Sequence, residues 1–327
     1  MIGRSLVLGL LLAGAGLTTI ANAAERCVEC VTAGAASVTV QVPPGAPPAG
    51  YGGMKRRLAF PDIFDRYPHA FWFSPSTGVR DPLTTRALVL ETGTTRLAWV
   101  TFDLVAVDGT FVRALEAQLA RVGVPRSTLL VSASHTHSGP GAFMDSRLMG
   151  LVAVDRFDSR VRDALVASAV TAIQRADRAR APALAASASV TAPPVTASRL
   201  GKALDHEIVV LKLTKADGAP LALLWNFAIH GTMLSAADLR LSGDVMGVAS
   251  ARLEETLGVP ALFVNGAVGD VSPARHGEVA MVDRSDAGRV GAGGLGASAP
   301  GTGHDTEDLP AHGRAPRGGG LARAVLR

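Results

Sequence analysis

The chain has 327 residues, of which 48% are hydrophobic and 18% are charged, so it can bury a substantial core and is not disordered as a whole. The formal net charge of +4 comes from scattered arginines and a basic tail rather than from a lysine block interleaved with aromatic residues. We therefore predict no nucleic-acid partner.

The N-terminal segment has the parts of a secretory signal peptide. Arg4 supplies a positive charge, a leucine-rich apolar run follows, and Ala21-Asn22-Ala23 is a small-x-small cleavage site. The apolar run is short against the roughly 20 residues that a membrane-spanning helix needs, and no later segment of the sequence is suited to span a bilayer. We predict a signal peptide at 1–23 and a secreted or periplasmic protein.

The next segment, 24–48, is predicted to be flexible. Its cysteines, Cys27 and Cys30, form either a local disulfide or a pair of idle thiols. From Gly34 to Met54 the chain is rich in proline and glycine, which is typical of a loop leading into the body of a fold.

The body of the chain alternates between strand and helix patterns, which predicts an α/β fold with mixed β-sheets flanked by helices. Asp108–Val122 has apolar residues at helical spacing, with Asp108 as a cap and Gly123 as a stop. The other predicted helices are about Asp155–Arg178 and Val245–Leu257. The predicted strands are Arg86–Leu90 and Arg96–Leu104, which form a hairpin, then Ser127–Ala133, Leu184–Thr191, Glu207–Lys212, Leu221–Ile229 and Ala261–Asn265.

The composition changes beyond about Glu278. Glycine, alanine, proline, arginine and charged residues dominate there without apolar periodicity, so 278–327 is predicted to be a disordered, low-complexity tail.

Two histidines follow the strand that ends at Ala133. If the strand continues, His135 and His137 project to the same side of it while Thr136 points away. A third histidine, His230, ends another apolar strand and is followed by Gly231. Imidazoles from the ends of different strands can converge on one ion, so we predict a metal site.

The remaining histidines are weaker candidates. His206 precedes a strand and is either structural or close to the site, whereas His69, His276, His304 and His312 lie in loop-like or tail sequence and are predicted to be solvated.

Four segments, in this order, resemble the neutral ceramidases, which are non-lysosomal and zinc-dependent. They are HTHSGPG at 135–141, NFAIHGT at 226–232, SGD at 242–244 and GDVSP at 269–273. GYG at 50–52 and VTFDL at 100–104 are also similar to the amino-terminal region of that family. The match runs from about Ala49 to Pro273, which places an incomplete ceramidase-like catalytic domain at 49–277.

The resemblance implies an enzyme that cleaves N-acylsphingosine, a ceramide-like lipid amide, to a fatty acid and a sphingoid base. It implies that His135 and His230 bind Zn²⁺ and that His137 stands beside the metal as a hydrogen-bonding catalytic group. Ser272 would lie close to the scissile amide, and Arg199 would contact the reacting group. Peripheral contact with a membrane fits such a substrate, and no protein partner is predicted.

Two departures from the family pattern leave alternatives open. The family completes its metal shell with a glutamate and a tyrosine from a later region, but the tyrosines here, Tyr51 and Tyr67, both precede the histidines. The resemblance also stops near the change in composition, as expected for a truncated or frame-shifted end. The alternatives are a catalytically silent fragment and a zinc amidase for another N-acyl substrate. A serine-nucleophile mechanism is disfavoured because Ser272 lies outside any GxSxG pattern.

Overall fold

The computed structural model describes residues 31–274. The predicted signal peptide, Cys27 with Cys30, and the predicted tail at 278–327 lie outside the described residues. So do His276, His304 and His312.

The described residues form twelve strands and four α-helices. The strands are β1 (Val31–Thr39), β2 (Gly78–Val79), β3 (Thr84–Thr92), β4 (Thr95–Phe102), β5 (Thr128–Ala133), β6 (Ala181–Thr191), β7 (Thr196–Ser198), β8 (Glu207–Lys215), β9 (Pro220–Phe227), β10 (Arg240–Leu241), β11 (Ala261–Asn265) and β12 (Val271–Pro273). The helices are α1 (Gly109–Arg121), α2 (Arg147–Met149), α3 (Ser159–Arg178) and α4 (Asp244–Leu257), with a 3₁₀ turn at Met54–Arg56 and a π-helical turn at Gly150–Val154.

Eight strands form one mixed sheet in the order β11-β9-β8-β6-β1-β3-β4-β5. The pairs β4–β5 and β9–β11 are parallel and the other neighbours are antiparallel. Helices α1 and α3 pack on one face, and the side chains of Ser37 and Arg86 bond Glu254 of α4 on the other. The α/β prediction is therefore confirmed.

Local sequence signals explain where several helices and strands begin or end. Strands β3 and β4 form the predicted hairpin, in which Thr92 pairs with Thr95 and Gly93 adopts a positive φ of 54° in the turn. The Asp108 side chain accepts a hydrogen bond from the Phe111 N–H and so caps α1. Helix α4 ends at Gly258, which adopts the left-handed conformation that glycine tolerates.

The prediction of an irregular, flexible segment is wrong over Val31–Thr39, because these residues form β1 inside the sheet between β6 and β3. A Cβ atom added at Gly34 would lie 2.1 Å from the Ala176 carbonyl oxygen of α3. The small residues of β1 therefore allow a close approach of the helix, although their composition is typical of a loop.

The sheet curls so that its two edges approach each other. The Asn265 side chain, at the end of β11, donates a hydrogen bond of 2.8 Å to the Ser134 carbonyl, just past β5. An isolated parallel bridge joins Thr136 to Gly231. The carboxyl ends of β5, β9 and β11 therefore meet at one place. Across the region from 31 to 274, no helix combines the length and apolarity that crossing a membrane would require.

Candidate metal centre and active site

The HTH segment is a loop, not a continuation of β5. The strand ends at Ala133, and His135 adopts a positive φ of 65°, an uncommon conformation for a residue other than glycine. The Thr136 hydroxyl turns away from the histidines and donates to the Ser242 carbonyl at 3.0 Å. His135 and His137 lie on the same side, as predicted, but because of this turn and not because of strand alternation.

The three predicted histidines meet in a compact triangle. The Nε2–Nε2 distances are 3.1 Å between His135 and His230, 3.0 Å between His137 and His230, and 3.4 Å between His135 and His137. Nitrogen ligands at 2.0–2.1 Å from a tetrahedral ion lie about 3.3 Å apart, so the triangle has the dimensions of one face of such a shell. These three residues could hold a metal ion.

Backbone carbonyls orient two of the three rings. Nδ1 of His135 lies 2.6 Å from the Val105 oxygen, and Nδ1 of His230 lies 3.0 Å from the Val268 oxygen. Each carbonyl favours the tautomer that carries its proton on Nδ1, which leaves the Nε2 lone pair directed into the triangle. Metal-binding histidines are commonly oriented in this way.

His137 has a different environment. Its Nδ1 is buried and has no hydrogen-bond partner, and its ring lines the adjoining pocket. Burial, followed by the neighbouring imidazoles and the charges of Arg56 and Arg199, lowers the pKa of His137 to about 3. The ring is therefore neutral at pH 7, which is the form that can bind a metal or accept a proton.

The GYG segment packs directly on His137. Gly50 has a φ of 101°, and a Cβ atom there would lie 2.7 Å from the Cα of His137. The Tyr51 ring meets the His137 ring edge-on with centroids 5.0 Å apart, and its hydroxyl donates to the Leu234 carbonyl. Tyr51 is therefore a neighbour of the site although it precedes the histidines in the sequence, and its hydroxyl is engaged elsewhere.

Ser272 and Arg199 are brought together by the pairing of β12 with β7. The Arg199 Nε–H donates to the Ser272 hydroxyl at 2.5 Å, and the Arg199 N–H donates to the Asp270 carbonyl. Ser272 is buried, with 3% of its surface exposed. The preceding residue, Val271, accepts a hydrogen bond from the His230 N–H, which joins this strand to the histidine triangle.

A pocket of about 500 Å³ opens beside the triangle. Its lining includes Tyr51, Met54, Lys55, His137, Arg199 and Thr232. Two of these side chains are cationic. The pocket can therefore admit a ligand to the His137 side of the triangle and present Arg199 to a group that gains negative charge.

The aspartates around SGD support the two histidine loops, a role that sequence reasoning missed. Both carboxylate oxygens of Asp81 accept hydrogen bonds, one from the Ser242 hydroxyl and one from the Gly243 N–H. Asp244 accepts from the N–H groups of Met233 and Leu234, just after the second histidine motif. The apolar context of the SGD segment was a weak signal of this burial.

Two weaker candidates are not part of the triangle. The prediction that His69 is solvated is wrong, because its Nδ1 pairs with Asp158 at 2.7 Å and 9% of the side chain is exposed. His206 precedes β8, and its buried Nδ1 has no hydrogen-bond partner.

Known proteins resemble this chain in sequence and in fold. The family described as "Neutral/alkaline non-lysosomal ceramidase, N-terminal" matches residues 73–289. Neutral ceramidase B of Dictyostelium discoideum is 27% identical over 175 residues, which cover 46% of this chain and 24% of that protein.

Two solved structures resemble the fold at 21% identity. The neutral ceramidase of Pseudomonas aeruginosa gives a TM-score of 0.65, with 80% of this chain and 43% of that chain covered. A structure described as ceramidase complexed with C2 gives 0.66, with 80% and 42% covered. The chain thus spans less than half the length of these proteins. Because the family match extends over more than half of the sequence, the chain belongs to the neutral/alkaline non-lysosomal ceramidase family.

Proposed function

We propose that this chain binds zinc at His135 and His230, with His137 beside the ion, and hydrolyses the amide bond of an N-acylsphingosine-like lipid. Membership of the ceramidase family supports ceramide hydrolysis at the level of the family. The observation that carries the proposal for this chain is the triangle of Nε2 atoms with edges of 3.0–3.4 Å. Neutral imidazoles at that spacing suit a zinc ion.

The donor set fits the chemistry that an amide requires. When bound, zinc would polarise an amide carbonyl and lower the pKa of a water molecule from 15.7 to about 7. The carbonyl-bound Nδ1 atoms of His135 and His230 hold those rings in the ligand tautomer. His137 faces the pocket with a neutral ring, where it can exchange a proton or a hydrogen bond with the substrate.

Arg199 would stabilise the oxyanion that forms when the amide carbonyl is attacked. Arg199 lines the pocket together with His137, and the Ser272 hydroxyl accepts a hydrogen bond from its Nε. One such donor typically contributes about 3 kcal/mol to the stability of a transition state. Ser272 supports this role as a partner of the guanidinium, which we favour over a role as nucleophile.

The direct test is hydrolysis of a short-chain N-acylsphingosine by the purified full chain, after removal of metal and after restoration of zinc. We expect activity only with zinc, and we expect His135→Ala and His230→Ala to abolish it. His206→Ala is the matched control, because its Nδ1 bonds nothing, and should retain activity. Equal turnover with and without metal would contradict the proposal.

A zinc amidase that acts on a different N-acyl compound is the second candidate. The cationic side chains of Lys55 and Arg199 at the pocket suit a substrate with a polar or anionic group near the amide. A panel of amides that vary in acyl length and in the amine portion would separate the two. Preference for N-acylsphingosine supports the first candidate, and preference for a compact polar amide supports the second.

The alternative of a catalytically silent fragment rests on the small number of metal ligands. Within residues 31–274, the three histidines are the group found, and no carboxylate joins them. The proposal gives the ion two histidine ligands with His137 beside it, which is fewer than the three protein ligands of ordinary catalytic zinc. Retention of zinc close to one equivalent after dialysis, together with turnover, would exclude the silent reading.

We also propose that the chain is exported, from the signal-peptide pattern at 1–23. N-terminal sequencing of the protein recovered outside the cytoplasm should begin at Ala24; an uncleaved Met1 would contradict this proposal.

A further inference from the structure

Arg56 is a fully buried cation next to the histidine site. It ends the 3₁₀ turn that follows the GYG segment, and 0% of its surface is exposed. Removing a charged group from water costs several kcal/mol unless its hydrogen bonds are replaced. The contacts that replace them therefore indicate what the residue does.

All five N–H groups of the guanidinium have a partner. Nε donates to the Ala236 carbonyl, Nη1 donates to the carbonyls of Ala49 and His137, and Nη2 donates to the Asp238 carbonyl and the Ser138 hydroxyl. These acceptors belong to three separate segments.

Each of the three segments contributes to the lining of the pocket. Gly50 to Lys55, His137 and Ala236 all line it. The bond from Nη1 to the His137 carbonyl, at 2.7 Å, is the shortest of the five. One planar side chain therefore ties the backbone of His137 to two other segments that line the pocket.

None of the five bonds goes to a carboxylate, so the charge beneath the pocket is not neutralised by direct pairing. The guanidinium carbon lies 4.7 Å from the centre of the Tyr51 ring, a cation–π contact. Burial lowers the pKa of Arg56 to about 10, so the side chain remains protonated at pH 7.

We propose that Arg56 is a positioning residue of this site: it fixes the backbone of His137 and two neighbouring segments that line the pocket, without itself touching the metal or the substrate. Lysine cannot replace it, because an ammonium group has three donors and lacks the planar fork. The catalytic meaning of this inference rests on the proposed function, but the geometry can be tested without turnover.

The test uses the full chain, free of metal, as wild type, Arg56→Lys and Arg56→Gln. NMR spectra of the imidazole nitrogens report the position of each histidine, with His137 assigned from a His137→Gln variant. We expect both Arg56 variants to shift the His137 signals and to leave those of His69, which is bonded to Asp158, unchanged.

The control is Arg86→Lys. Arg86 is another buried arginine, but it pairs with Glu254 of α4 and with Asp103 instead of the segments that Arg56 holds. We expect this variant to lose stability while its His137 signals stay unchanged.

Unchanged His137 signals in folded Arg56→Lys and Arg56→Gln would overturn the inference, and so would an equal shift in Arg86→Lys. If both Arg56 variants fail to fold while Arg86→Lys folds, Arg56 supports the whole fold and the local role is wrong. A shift of His137 in a protein without ceramide hydrolysis would retain this inference and reject the proposed function.

Discussion

The Nε2 atoms of His135 and His230 lie 3.1 Å apart although 95 positions separate the two residues in the sequence. Each follows the carboxyl end of a strand, and the curl of the sheet brings those ends together. The contact between Asn265 and the Ser134 carbonyl holds the two edges at this point. The site is thus a consequence of how the sheet closes, and its geometry can be tested by changing the residues packed around it.

Gly50→Ala should damage the site through His137. The new Cβ would lie 2.7 Å from the His137 Cα, at a φ of 101° that alanine rarely adopts. We expect a loss of about 1–3 kcal/mol in the free energy of unfolding, measured by urea denaturation, together with weaker zinc binding.

Gly53→Ala is the matched control for this change. A Cβ at Gly53 meets nothing within 4 Å, and its φ of −78° suits alanine. Its stability and zinc affinity should equal those of the wild type. A Gly50→Ala protein as stable as Gly53→Ala would show that the close packing on His137 is not required.

Arg199→Ala should reduce turnover about 10²–10³-fold if its guanidinium stabilises the oxyanion. Ser272→Ala removes a partner of Arg199 and should cause a smaller loss of turnover. Steady-state kinetics with a saturating N-acylsphingosine provide the comparison. Complete loss in Ser272→Ala, together with an acyl-serine adduct on the wild-type protein in mass spectrometry, would instead support a serine nucleophile.

Asp103 should make stability depend on pH. Burial raises its pKa from 3.8 to about 6, against the opposing effects of Arg86 and the Thr84 N–H. Because the folded state binds this proton more tightly than the unfolded state does, protonation of Asp103 adds to the free energy of unfolding. This contribution is complete below pH 3.8 and is lost as the pH rises through about 6.

The stability advantage of the wild type over Asp103→Asn should therefore shrink as the pH rises. Urea unfolding of both proteins at several pH values between 4 and 7.5 measures it. The difference between the free energies of unfolding of the two proteins at each pH reports on Asp103, because the remaining titratable groups are common to both. An advantage that grows with pH would contradict the assigned direction of the pKa shift.

Asp158→Ala should destabilise the start of α3. The Asp158 carboxylate accepts from the Arg160 N–H as the helix cap and also pairs with His69. We expect a loss of about 1–2 kcal/mol in the free energy of unfolding. Asp158→Ser can still cap the helix and should lose less; equal losses in the two variants would assign the effect to the pairs that the carboxylate makes with His69 and with the Arg160 side chain.

Elements with local signals were predictable from the sequence. Helix α1 has a capping Asp108, apolar residues at helical spacing and Gly123 after its end, so its limits differ by one residue from the prediction. Strand β1 lacks such a signal. Its Gly34 and neighbouring alanines match loop composition, and their purpose appears only when α3 packs against them.

The site likewise contains some residues that were predictable from the sequence and others that were not. Histidines after two apolar strands indicated a metal centre because strand ends tend to meet at one edge of a sheet. Arg56 stands between Lys55 and Arg57, which is typical of a solvated charged run. Its burial depends on carbonyls at Ala49, His137 and Asp238, which only the folded chain brings together.

The central claim is that His135 and His230 share one zinc ion, and metal content after exhaustive dialysis tests it most directly. We expect close to one zinc per chain in the wild type and in His206→Ala, and little or none in folded His135→Ala or His230→Ala. Negligible zinc in the wild type, or undiminished zinc in both histidine variants, would contradict the account.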